Sequence, residues 1–82
     1  NKTIKEFVEK VENIEEWNID NLNSAISTFI SQKNIKFSYF GKPIRYILTN
    51  YENGPSISLI LKILGKKNTL MRLNKYISRK NN

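Results

Sequence analysis

Apolar residues recur along this chain every three or four positions, in short runs punctuated by Asn, Gly or Pro. That spacing restricts the chain to an assembly of short helices. Ile4, Phe7, Val8 and Val11 form one stripe over about 3–13, and Thr3 with Glu6 fits a capping box at its start. Leu22, Ile26, Phe29 and Ile30 form a second stripe over about 19–33. Asn18 is its expected N-cap, and Asn34 follows as a residue tolerant of a left-handed C-terminal conformation. From Ile35 the pattern lapses into an apolar and aromatic connector. A short helix is expected over 40–48, with Pro43 near its first turn. Gly54-Pro55 then reads as a cap followed by the first residue of a helix over 55–64, apolar on most sides and therefore the buried one. Gly65 stops it. A last helix over about 67–78 turns Leu70, Leu73, Tyr76 and Ile77 inward and Lys66, Lys67, Arg72, Lys75, Arg79 and Lys80 outward, and Asn81 and Asn82 are expected to fray. The expectation is an all-α fold, a compact bundle of about five short helices, with residues 1–82 as a single unit. The chain opens without a Met at an acidic helix and reads as one piece of something larger.

Eighty-two residues suffice for one small domain. The absence of Cys and His excludes disulfides, Cys/His zinc sites and Cys- or His-based nucleophile pairs. The longest apolar run, 57–64, contains Ser58 and Lys62 and falls far short of the roughly 20 residues of a bilayer span. Catalytic constellations are likewise missing. Glu9/Glu12 and Glu15-Glu16 lie in an acidic stretch that reads as solvated rather than as an acid–base dyad. Gly41-Lys42 and Gly65-Lys66 lack both the upstream Gly and the following Ser or Thr of a phosphate-binding loop.

The net charge of +7 is a weak signal as a total. Ile, Asn and Lys, all read from A- and T-rich codons, are the favoured residues, so genomic composition alone raises the lysine count. The distribution says more. In residues 1–20 three lysines against six carboxylates leave −3, whereas in 21–82 eleven basic residues against Glu52 alone give +10. A one-signed field of this kind suits a polyanion, nucleic acid above all.

Five of the nine aromatics, Phe37, Tyr39, Phe40, Tyr46 and Tyr51, fall within 15 residues and interleave with Lys36, Lys42 and Arg45. Rings on which bases stack, beside cations, are what single-stranded RNA recognition requires. Phe37 and Phe40 are also natural core residues. Arg45 is one of only three arginines in a lysine-rich chain, which suggests a planar, bidentate requirement. A helix-capping or salt-bridged role satisfies the same observation. The start of the helix after Gly54 offers backbone N–H groups to a base carbonyl or a phosphate, with Gly54 allowing close approach and Ile57 an apolar edge. An ordinary tight helix start uses the same residues.

Taken together, Pro43-Ile44-Arg45-Tyr46-Ile47-Leu48-Thr49, Gly54-Pro55-Ser56-Ile57 and Ile63-Leu64-Gly65-Lys66 with Leu70 resemble the C-terminal end of bacterial-type glutamyl-tRNA synthetases. The family pattern there is Pro-Leu-Arg-x-Ala-Leu-Thr-Gly, a Gly-Pro turn and a Leu-Gly-Lys step before a closing helix. The resemblance covers about residues 15–77. Asn50 stands where the family has Gly, Ser38 where Gly is common and Lys42 where Gln is common.

The resemblance implies an anticodon-binding α-helical module in which Arg45, Gly54, Pro55 and Ile57 contact anticodon bases. Of the candidates for the RNA backbone, Lys66 is carried over from the resemblance, and Lys42 and Lys67 are named beside it as basic residues of the same stretch. The resemblance further implies a parent class I enzyme that ligates glutamate to tRNA(Glu), with ATP and Mg²⁺ used in a catalytic domain outside this chain and no cofactor in the chain itself. The expected partners are the anticodon loop of tRNA(Glu) and the parent's other domains. A cytoplasmic monomer without membrane association is expected. The alternative from the residues alone is a non-specific basic helical domain for nucleic-acid binding or protein interaction.

Overall fold

The computed structural model describes residues 2–80, with the side chain of Lys80 excepted. The expected fraying of Asn81 and Asn82 lies outside the described residues. Among these residues the regular elements are all helical: α1 (Lys2–Glu12), α2 (Ile19–Lys33), α3 (Phe37–Thr49) and α4 (Ile57–Lys80). Gly65, at φ 83° and ψ 161°, divides α4 into two helical segments, and with these counted separately the helices number five.

The apolar stripes meet as their spacing requires. Phe7 of α1, Phe29 of α2 and Phe40 of α3 touch edge to face or tilted, with ring centroids 5.0–5.6 Å apart. Such pairs add about 0.5–1.5 kcal/mol each beyond the area they bury. Around them Val11, Leu22, Ile44, Leu48, Ile57, Leu61 and Leu73 are almost fully buried. α4 packs against each of the other three helices and so carries the core. The expected burial of 57–64 holds for Ile57, Ile60 and Leu61, but Ile63 on the opposite face is 71% exposed.

Helix ends followed the sequence closely in α2 and less closely elsewhere. Asn18 caps α2 by accepting the Asn21 N–H at 2.8 Å, and Asn34 closes it in the left-handed conformation. The capping box does not form. Thr3 lies inside α1, and Glu6 instead pairs with Lys33 of α2, the one ion pair among the described residues. α3 begins at Phe37 rather than 40, which puts Pro43 in its second turn. The Tyr39 carbonyl loses its partner there, but Tyr39 is 71% exposed, so water can take its place. Pro55 is not the first residue of α4. Ser56 is the cap instead: its carbonyl accepts from Ile60 N at 3.1 Å and its hydroxyl from Leu59 N at 3.4 Å.

The connector 13–18 is bound to α4 by three side chains. The Trp17 indole N–H donates to the Leu61 carbonyl at 2.8 Å, one of the carbonyls in the last turn before the Gly65 break. In return Lys62 Nζ donates to the Trp17 carbonyl at 3.1 Å, and Lys66 Nζ to the Ile14 carbonyl at 2.7 Å. Asn68 closes the break itself by donating to the Leu64 carbonyl at 3.0 Å.

Candidate nucleic-acid interface

The sequence nominated a corner between the end of α3 and the start of α4, and the structure forms one. α3 ends in a left-handed residue, Asn50 at φ 69°, whose N–H bonds the Tyr46 carbonyl at 2.8 Å. Asn tolerates this conformation at little steric cost. The Thr49 hydroxyl donates to the Arg45 carbonyl at 2.7 Å and accepts from Tyr51 N at 3.2 Å, fixing the exit of the chain. Arg72 of α4 donates through Nη1 to the Leu48 carbonyl. The final carbonyls of α3 are thus met by a backbone N–H, a hydroxyl and a guanidinium.

Arg45 joins this helix end to the next helix start. Its Nε donates to the Pro55 carbonyl at 3.0 Å, and its guanidinium lies over the Phe37 ring, 5.9 Å from the centroid. Gly41, one turn back, gives it room, since a Cβ there would stand 3.2 Å from Arg45 Nη1 and 3.3 Å from the Phe37 ring. A guanidinium has five N–H donors in a planar fork, and the Pro55 bond takes one. The four on Nη1 and Nη2 remain for a ligand. A salt-bridged role is not what the structure shows, because the ion pair among the described residues involves Lys33 and Glu6.

The other nominated residues divide. Gly54 is exposed at φ 149°, a conformation that L side chains rarely adopt, with open space where a Cβ would stand. Pro55 is exposed, and its carbonyl holds Arg45. Ile57 is only 1% exposed and sits in the core, so its side chain offers no apolar edge to a base; its contribution is limited to its backbone at the α4 start. Lys42 and Lys67 are exposed and point no bond into the fold. Lys66 is half-buried with its ammonium on the Ile14 carbonyl, away from the corner. The structure therefore brings together Arg45, Gly54, Pro55 and the α4 start, and gives Lys66 a fastening role.

Phe37, which the sequence offered both as a stacking ring and as a core residue, is not a core residue in the structure. It is 47% exposed and lines a concavity of about 390 Å³ with Asn23, Ser27, Ile30, Ser31 and Ser56. An apolar floor edged by hydroxyls and an amide suits a planar heterocycle with polar edges. A larger concavity, about 610 Å³, is lined by Lys10, Glu15, Glu16 and Asn21 on the acidic end of the molecule. It is the wrong sign for a phosphate backbone. No described helix is long and apolar enough to cross a membrane, and no described group of His, Cys, Asp or Glu is placed to hold a metal ion.

The fold and this corner define a small, basic, all-α domain in which Arg45, Arg72 and the Phe37 ring meet at one helix–turn–helix junction. Comparison with known proteins narrows that class. The sequence model of the anticodon binding domain matches residues 1–77. The glutamate–tRNA ligase of Chlorobium phaeobacteroides (strain BS1) is 31% identical over 77 residues, which cover 94% of this chain and 15% of that protein. Glutamate–tRNA ligase 1 of Orientia tsutsugamushi (strain Boryong) is 34% identical over 70 residues, 85% of this chain. That of Prosthecochloris aestuarii is 29% identical over 79 residues. No solved structure matches. The chain belongs to the anticodon binding domain family and is homologous to the C-terminal region of glutamate–tRNA ligases. It spans about 15% of the length of these relatives.

Proposed function

We propose that this chain reads the anticodon loop of tRNA(Glu) as the single C-terminal module, residues 1–82, of a cytoplasmic glutamate–tRNA ligase. The observation that carries the reading is Arg45. Within a chain of the anticodon-binding family, it is fixed by one donor to the Pro55 carbonyl and supported by the Phe37 ring, with four N–H donors left over. A guanidinium held in this way meets a base edge bidentately without first losing side-chain freedom. Gly54 and Pro55 shape the adjoining turn, and the N–H groups of Ile57 and Ser58 at the α4 start add donors that no helical carbonyl takes. Lys42 and Lys67 meet phosphates. Ligation itself, with its use of ATP and Mg²⁺, belongs to the parent's catalytic domain, and this module supplies recognition at the distal end of the tRNA.

Titration of the chain with a tRNA(Glu) anticodon stem-loop and with the same stem carrying a scrambled anticodon tests the reading. The cognate loop is expected to bind more tightly, and Arg45→Ala to remove about 1–3 kcal/mol of that preference. Equal weakening of both loops by Arg45→Ala would show that Arg45 does not read bases. Equal binding of both loops by the unaltered chain favours the non-specific basic domain.

A further inference from the structure

The function above uses the face of α3 that carries Arg45, yet the next residue, Tyr46, is turned by about 100° around the helix. Tyr46 is 55% exposed and lines a separate concavity of about 250 Å³ with Asn50 of the α3 terminus and Arg72, Lys75 and Arg79 of α4. The three cations recur at helical spacing on one side of α4. No carboxylate lines this concavity, and none of the three has an ion-pair partner among the described residues. Glu52, the one acid in residues 21–82, is not among the lining residues. Arg72 is anchored by its bond to the Leu48 carbonyl, which holds the α4 side of the groove against the end of α3. The opposite side of the same α4 segment, at Asn74 and Ile77, faces Glu9 and Glu12 of α1 across another shallow groove. The end of α4 is therefore polarised, with Glu9 and Glu12 beside Lys5 on one flank and Arg72, Lys75 and Arg79 beside a tyrosine ring on the other.

An anion alone would need only the cations. An exposed ring presented next to them adds a surface for a planar group covalently tied to a phosphate. We propose that this groove holds one further nucleotide of the tRNA strand, outside the base-reading corner, with its base on Tyr46 and its flanking phosphates on Lys75 and Arg79. The inference rests on the anticodon-binding reading and extends the RNA path from the Arg45 face across the end of α3. It contributes affinity without sequence choice, because every base has a stacking face.

The chain is titrated with the cognate and scrambled stem-loops over a range of salt concentrations. Lys75→Ala with Arg79→Ala should lower the slope of log affinity on log salt by about 1.4–1.8, as expected for two phosphate contacts, and leave the cognate preference intact. Tyr46→Leu should weaken both loops about ten-fold, and Tyr46→Phe should restore them. All these positions are exposed, and a thermal melt of each variant confirms folding. An unchanged salt slope in the double variant, while Arg45→Ala still removes the preference, overturns the groove and leaves the anticodon reading standing. The reverse pattern, a flattened slope with the preference unaffected by Arg45→Ala, keeps the groove and rejects base reading by Arg45. If poly-glutamate displaces the RNA at equal charge, with no difference between Tyr46→Leu and the unaltered chain, the groove is one for acidic peptides and the nucleotide assignment is wrong.

Discussion

The two long connectors of this domain use the same device for opposite ends. Connector 13–18, between α1 and α2, is tied to α4 by the Trp17 indole and by the ammonium groups of Lys62 and Lys66, all through backbone carbonyls. Connector 50–56, between α3 and α4, is spanned by a single cation, with Arg45 Nε on the Pro55 carbonyl and the rest of its fork unspent. A cation on a carbonyl is thus a fastener in the first and a positioning contact in the second. The difference lies in what remains. A lysine half-buried on its carbonyl has little left to offer a ligand, whereas an arginine bound through one nitrogen still presents a planar edge.

Mutations that cut the fasteners should cost stability and spare recognition, and those at the open connector should cost recognition. The largest effect is expected at Trp17. Trp17→Ala removes a partly buried ring and leaves the Leu61 carbonyl short of a donor, for a loss of about 3 kcal/mol in urea denaturation. Trp17→Phe should recover most of it. Lys66→Met should cost about 1 kcal/mol through the lost bond to Ile14 while leaving the salt dependence of RNA binding unchanged. Lys67→Ala, one residue on, should leave the melting temperature in place and flatten the salt slope by about 0.7–0.9. A salt slope that responds to Lys66 instead would erase the distinction between fastening and binding lysines.

Gly54→Ala is expected to cost about 1 kcal/mol because of its φ of 149°, with no clash, and to weaken binding of the cognate loop more than of the scrambled one. A small net change in stability is also expected at Gly41. Ala there gains about 0.5–1 kcal/mol of helix propensity but presses on Arg45 and Phe37 by a few tenths of an ångström. Near-unchanged denaturation with a reduced cognate preference is the expected result, and a preference that survives would mean that the Arg45 fork does not depend on the Phe37 face.

Much of this architecture was legible from residue spacing. The stripes of α1 and α2, both Asn caps of α2 and the stop at Gly65 followed from local chemistry that the tertiary fold did not override. The start of α3 was not legible, because Pro43 signals a first turn and only the exposure of Tyr39 makes a proline in the second turn tolerable. Gly54-Pro55 masked the cap at Ser56 in the same way, since two turn-forming residues drew the helix start toward themselves. At the site, Arg45 stood out by scarcity and Gly54 by type. The roles of Phe37 and Lys66 were not legible, because what separates a supporting ring from a core ring, or a fastening lysine from a free one, is a contact that only the folded chain makes. Ile57 misled for the same reason: an apolar residue at an exposed turn reads as available until the packing around it is known.

The bonds from Trp17 to Leu61 and from Lys66 to Ile14 join positions 44 and 52 residues apart. A chain made from its N-terminus has α1 and α2 in hand, joined by the Glu6–Lys33 pair, long before those partners exist. The bonds that fasten the first connector therefore cannot form until residues 61–66 are available to it. Truncation before Leu61 removes all three of these bonds, and truncation between Lys62 and Lys66 removes only the one to Ile14.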